Sequence, residues 1–351
     1  MNRRSDFETG SKTDTLGRAY ITPWTLKVYD ALRGNPFWIG AVFASAMLIA
    51  FFAGRAVFGN DGSSALDELR VAVTQILITA YCATAYAYLL MSARKTTRAL
   101  AQAIPNLPDR SNVVDRAGKH LPWVLPMIGV ASYLIIGIGV TNATTPEPDN
   151  PWYWQGWSYD VVWHRATTVL FVYWIGCFSY AIVVESARLS RMSIGIETMD
   201  LLDMRPYTPL IRQGLTNALL VIGMVSVLSL LGVESRYWPA LIGFWITFTV
   251  LAWTGLMLPL RGIRRKFKAA KRRELEWCGT RLSACRDALK SDSSDRLSIA
   301  DTLAYKTMIE GLRTWPFDNS TLIRFSLYLL IPLGSWLGGA LVERGVDLIL
   351  S

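Results

Sequence analysis

Seven runs of apolar residues recur along the chain, at 37–58, 71–91, 122–140, 166–184, 214–233, 238–260 and 322–342, with polar or charged segments between them. Each is about 20 residues long, the length an α-helix needs to cross a bilayer core about 30 Å thick. The pattern predicts an all-α fold, a polytopic helical membrane protein with about seven transmembrane helices and a cytosolic helical hairpin. It divides the chain into a cytosolic tail with an interfacial amphipathic helix (1–36), a six-span bundle (37–260), a basic cytosolic hairpin (261–321), and a seventh helix with a short tail (322–351). Pro332 should kink the last run, which leaves a re-entrant course open beside a spanning one.

The segment between the sixth and seventh runs has its own pattern. Arg261, Arg264, Arg265, Lys266, Lys268, Lys271, Arg272 and Arg273 follow directly on Leu260. Basic residues at a membrane surface gain roughly 1 kcal/mol each from anionic headgroups, so Arg264, Arg265, Lys266, Lys268, Arg272 and Arg273 are predicted headgroup contacts. Leu275, Cys278, Leu282, Cys285 and Leu289 then recur at spacings of three and four, a seam for packing along another helix. The turn 291–295 breaks it. A second helix carries Leu297, Ala300, Ala304, Met308 and Leu312 at helical spacing, with Ser298 and Asp301 placed like a capping box, and ends before Pro316. The pair is expected to pack on itself; the alternative is that its outer face meets another subunit or a protein partner.

Shorter signals fill in the rest. Thr22-Pro23 reads as an N-cap followed by proline at the first helical position. Trp24, Val28, Ala31 and Leu32 then share one helix face and Lys27, Asp30 and Arg33 another, the pattern of a helix lying in the membrane interface. Leu32-Arg33-Gly34-Asn35-Pro36-Phe37 and Leu312-Arg313-Thr314-Trp315-Pro316-Phe317 share Leu-Arg-x-x-Pro-Phe, which juxtamembrane chemistry explains without a duplication. Ala46, Ala50 and Gly54 in the first run, and Gly334 with Gly338 and Ser335 with Gly339 in the last, have the small-residue spacing that lets helices approach closely. The segment 141–165 is rich in Trp and Tyr, as an aromatic belt would be.

Charge orients the chain. With the N-terminus inside, the segments before the first run and at 92–121, 187–213 and 261–321 hold 6, 6, 4 and 14 Lys and Arg residues, 30 of the 36, against 4 in the outside segments. That split predicts a cytoplasmic N-terminus and an outward C-terminus, in a cell membrane of the bacterial inner-membrane type. It also accounts for the net charge of +9 without a nucleic acid, for which no further signal exists. The polar first 22 residues have no short apolar core and cleavage site, unlike a signal peptide. Cys82 and Cys177 fall inside runs, and Cys278 and Cys285 are too far apart for the usual zinc pair, so no disulfide framework, metal or cofactor is expected.

Catalytic chemistry is scarce. The middles of the runs carry no Asp, Glu, Lys or His, which disfavours proton coupling. No His-Glu-x-x-His helix or phosphate-binding loop appears, so an enzyme is disfavoured too. Neutral polar groups remain: Gln75, Thr79, Cys82 and Tyr86 on one face of the second run, Tyr173, Cys177 and Tyr180 in the fourth, Gly243, Thr247 and Thr254 in the sixth. Two functions follow. One is an oligomeric, channel-like conduit for ions or small solutes lined by Gln75, Thr79, Tyr86, Tyr173, Tyr180, Thr247 and Thr254. The other is a membrane anchor or scaffold whose hairpin docks a protein partner, with a lipid-modifying enzyme third. The conduit leads, since transport is the commoner task of polytopic proteins.

Overall fold

The structure is a computed structural model that describes residues 20–32, 34–58, 65–104, 110–137, 159–194, 201–203, 205–230, 238–290 and 296–312, together with Ile323, Leu327 and Gly334. Its helices are α1 (Trp24–Leu32), α2 (Pro36–Phe58), α3 (Ala65–Ala103), α4 (Arg110–Arg116), α5 (Val124–Ser132), α6 (Tyr159–Ile194), α7 (Thr208–Leu228), α8 (Trp238–Lys290) and α9 (Arg296–Gly311). No strand forms among the described residues; Ile21 and His120 make an isolated antiparallel bridge.

Five of these helices contain stretches long and apolar enough to cross a membrane: Pro36–Phe58, Val71–Ala103, Val162–Ile194, Arg205–Leu228 and Ile242–Asp287. Of the third apolar run, the structure describes residues up to Gly137. Residues Val124–Ser132 are α-helical and Tyr133–Gly137 widen into a π-helical turn. The seventh run lies outside the described residues except for Ile323, Leu327 and Gly334, which are helical.

Helices α3, α6, α7 and α8 form the centre. Tyr86, Ile175, Phe178, Ile182, Met224 and Phe248 meet there in one apolar cluster. A second cluster, with Leu100, Leu189, Leu210, Ile222, Leu256 and Ile263, closes the end of the bundle that carries the basic residues. Glycines set the spacing. Gly129 admits the Tyr173 ring and Gly176 admits the Ser132 side chain, which seats α5 on α6. In α2 the close approach falls at Gly40, against Thr84, and at Gly54, against Tyr159. Ala46 and Ala50 lie on the exposed side of that helix, and a Cβ added to Gly334 would meet no described atom within 4 Å. Gly338 and Gly339 lie outside the described residues.

Helix α1 is seated differently from its amphipathic pattern. Thr25, Leu26 and Tyr29 are its buried residues, and the Tyr29 hydroxyl lies 3.2 Å from that of Thr84. Trp24, Val28 and Leu32 are exposed, Trp24 at 62% although its ring lies 6.0 Å from that of Trp174. Thr22 does not cap the helix in the expected way. The Pro23 carbonyl takes the first helical hydrogen bond, from Lys27, and the Thr22 hydroxyl accepts one from Arg94.

Helix α8 is continuous for 53 residues, about 80 Å at 1.5 Å per residue, with Pro259 inside it. Its second half packs against α9, where Leu201, Phe267, Ala270 and Ile309 are buried together. The Lys271 ammonium bonds the carbonyls of Glu310 and Leu312 at 2.8 and 2.7 Å, capping the end of α9. Lys271 is thus held by protein.

The packed face of α9 is not the one its apolar spacing suggested. Thr302 and Ile309 are buried, and Tyr305 and Leu312 partly so. Ala300, Ala304 and Met308 are exposed, together with Leu303. Helical positions 302, 305, 309 and 312 lie about 120° round the helix from 300, 304 and 308, so the packed face is displaced from the expected one and shares only Leu312 with it. On α8 the expected seam does turn inward: Cys278 and Cys285 are buried, and Leu275 and Leu282 half-buried.

Candidate functional site

Polar side chains concentrate at the basic end of the bundle, in two linked groups. The first surrounds Glu185 of α6, which is 2% exposed. Arg188, one helical turn on, bonds Glu185 at 2.5 Å with the same Nη1 that donates to the Arg116 carbonyl. Its Nη2 donates to the Lys119 carbonyl at 2.9 Å, and the Gly118 N–H donates to the Glu185 carboxylate. From the other side, Arg94 of α3 donates to the Ala117 carbonyl at 3.2 Å and lies 3.6 Å from Asp30 of α1. Two arginines therefore pin the segment 116–119 against the bundle. Gly118 must be glycine here, since its φ is +66° and a Cβ would stand 2.8 Å from Arg94 Nε.

His120 closes this group. It is 1% exposed, its ring packs edge-on against Tyr180 at 5.3 Å, and its backbone is bridged to Ile21. Neither ring nitrogen has a hydrogen-bond partner among the described residues. Burial pushes the imidazole down to about 3, and Arg188 and Arg94 add to the effect. Glu185 is 4.0 Å from Nε2 and would favour the charged form, but Arg188 already neutralises it, so a neutral imidazole follows.

The second group crosses the interior. Gln213 Oε1 accepts from Ser92 at 2.7 Å and from Thr96 at 3.1 Å, while Gln213 Nε2 donates to Asn217 Oδ1 at 2.8 Å. Asn217 Nδ2 donates in turn to Ser186 at 3.0 Å and towards the Gly255 carbonyl at 3.4 Å. One chain of hydrogen bonds thus ties α3, α6, α7 and α8 together where no water can replace it.

The residues singled out by sequence are dispersed. Gln75 binds His164 and Thr167, each at 2.9 Å, at the opposite end of the α3–α6 contact. Thr79 donates to the Gln75 carbonyl at 2.6 Å, within α3. Tyr86 is buried in the apolar cluster and its hydroxyl finds no partner among the described residues. Tyr173 is wedged against Gly129 and Trp174, and Tyr180 packs on His120. Thr247 and Thr254 donate to carbonyls of their own helix, Gly243 and Val250, with Thr247 on the exposed side. Of the basic run, Arg264, Arg265, Lys268, Arg272 and Arg273 are exposed, Lys266 is half-buried, and Arg272 pairs with Glu276 at 2.7 Å.

Nothing in the sequence marks Gln213 or Asn217, whereas His120 stands at the boundary of an apolar run and Glu185, near the end of another, is within a helical turn of Arg188; the rest depends on which faces the helices turn to each other. Among the described residues no cluster of three or more His, Cys, Asp or Glu could hold a metal.

The chain matches no protein-family model, no curated protein and no solved structure. Its helices and their apolar lengths define a multi-span helical membrane protein, and the particular task has to be read from the geometry above.

Proposed function

We propose that this protein is an integral membrane scaffold: a helical bundle that holds a rigid arm, the second half of α8 with α9, on which a soluble protein partner docks. The observation that carries the reading is the unbroken helix Trp238–Lys290, fixed at both ends of its course. Its first half is locked into the bundle, where Gly262 lies against Ser190 and Ser193 of α6. Its second half carries α9, which turns Ala300, Leu303, Ala304 and Met308 outward. The row of polar groups on α3 supports the same reading, because Gln75 and Thr79 spend their hydrogen bonds on neighbouring helices and on their own.

A photo-crosslinking residue at Met308, activated in intact membranes, is expected to yield an adduct with one soluble protein that disappears when Leu303→Asp is added. Adducts with lipid or with this chain alone would overturn the reading. The basic end faces the cytoplasm in this scheme, in a bacterial inner membrane, so a reporter inserted at Ser293 reads cytoplasmic and one after Ser351 reads periplasmic.

A conduit formed between copies of the chain is the second reading. It rests on the outward side of α8, where Gly243 and Thr247 lie among exposed Ile242, Ile246, Val250 and Trp253 with Thr254 beside them. In that case Thr247 and Thr254 line the path, and the groups buried between α3 and α6 do not. Solute or ion flux into proteoliposomes, abolished by Thr247→Leu, is the outcome that would favour it.

A further inference from the structure

The end of α3 that projects past its apolar run is flanked by an open cavity of about 580 Å³ between α3 and α1. Asp30 of α1 and Met91, Arg94, Lys95, Arg98 and Gln102 of α3 line it. The three cations are not equivalent. Arg94 is engaged with the Ala117 carbonyl, the Thr22 hydroxyl and Asp30. Lys95 and Arg98 are exposed and make no hydrogen bond or ion pair among the described residues. They stand three residues apart, neighbours on one helix face. The one carboxylate in the cavity lies 3.6 Å from Arg94, so these two charges remain without a counter-ion.

The walls of the cavity place it at the membrane surface. Met91 lines its apolar side and is the last residue of the second apolar run. On the side of α1 away from Asp30, Trp24, Val28 and Leu32 are exposed, as expected of a helix bedded at headgroup depth. A soluble anion would have no use for such a border, whereas a phospholipid presents a phosphate to the cations and acyl chains to the apolar edge. Basic pockets between helices on this side of a membrane are suited to anionic headgroups.

We infer that this cavity binds the headgroup of an anionic phospholipid, with Lys95 and Arg98 taking its phosphate and Met91 meeting its chains. The site is separate from the basic run of α8 and does not depend on what docks on the arm. Arg94 orders the floor of the site while holding the segment 116–119, and through Asp30 it ties α1 to α3. Lipid occupancy therefore stabilises the seat of α1 on the bundle.

The test is thermal unfolding of the full chain in mild detergent, titrated separately with short-chain phosphatidylglycerol, phosphatidylcholine of the same chain length, and inorganic phosphate. Phosphatidylglycerol is expected to raise Tm at the lowest concentration. Lys95→Gln/Arg98→Gln is expected to shift that response at least tenfold to higher concentration while leaving the lipid-free Tm unchanged, since neither side chain has a partner among the described residues. Lys95→Arg, which keeps the charge, and Arg272→Gln/Arg273→Gln on the arm are expected to respond as the wild type does. An undiminished response in the double variant, an equal loss in the arm variant, equal stabilisation by phosphatidylcholine, or saturation by inorganic phosphate at the same concentration would each overturn the inference.

Discussion

Gly214 of α7 lies against the main chain of α8, so close that a Cβ on it would stand 2.8 Å from the Leu256 carbonyl oxygen. The neighbour is backbone, which cannot rotate away as a side chain can. Helices in a bilayer gain nothing from hiding apolar surface from one another and depend on such close contact.

Gly214→Ala should therefore destabilise the bundle by about 1–3 kcal/mol, the usual cost of overpacking. Gly279, in the exposed part of α8, has no atom within 4 Å of its would-be Cβ. There Gly279→Ala should stabilise by about 0.5–1 kcal/mol through backbone entropy alone. Unfolding temperatures of the two variants in one detergent should move in opposite directions.

The interior hydrogen bonds make a second prediction. Asn217→Leu removes the partner of both Gln213 and Ser186, all of them buried. Interhelical polar contacts in membranes are worth about 0.6 kcal/mol on average, up to about 1.7, so a loss of about 1–2 kcal/mol is expected. Thr247→Val, which removes a hydroxyl bonded only to its own helix, should change stability little. Comparable losses in both would mean that the contacts of Asn217 with Ser186 and Gly255 hold no helices together.

His120 should make the protein acid-sensitive. Its folded-state pKa is pushed down to about 3 from 6.5 in the unfolded chain. Below pH 6.5 the unfolded chain takes up a proton that the folded one refuses, so stability falls as pH drops from about 6.5 towards 3. At pH 5 the loss from this group amounts to up to about 2 kcal/mol. His120→Phe keeps the packing on Tyr180 and sacrifices no hydrogen bond, so it should flatten the fall in Tm between pH 7.5 and pH 5.

The orientation of α9 can be read by thiol labelling. Cys278 and Cys285 are buried, and a polar maleimide should react with them slowly in native membranes, without a disulfide-linked dimer on mild oxidation. In a background lacking the four native cysteines, Met308→Cys should label quickly and Ile309→Cys slowly, since they are 44% and 0% exposed. The reverse order would turn the helix over.

What the sequence determined by itself is the class of object. Runs of about 20 apolar residues without charge have one stable solution in a bilayer. The seam of α8 was legible for the same reason: its polar neighbours leave only one face to bury. Helix α9 was not, because Ala300, Ala304 and Met308 look as apolar as Thr302, Tyr305 and Ile309, and only the position of Phe267 and Ala270 decides between them. The same limit applies inside the membrane, where lipid and protein are equally apolar surroundings and hydrophobic periodicity carries no direction. Which of Gln75, Gln213 and Thr247 faces a neighbour, an interior network or the outside was fixed by glycines such as Gly214 and Gly262, which let particular faces come into contact. The pairing of Arg188 with Glu185 follows from spacing along one helix, whereas His120 reaches them only because Arg94, 26 positions earlier in the chain, holds the intervening segment in place.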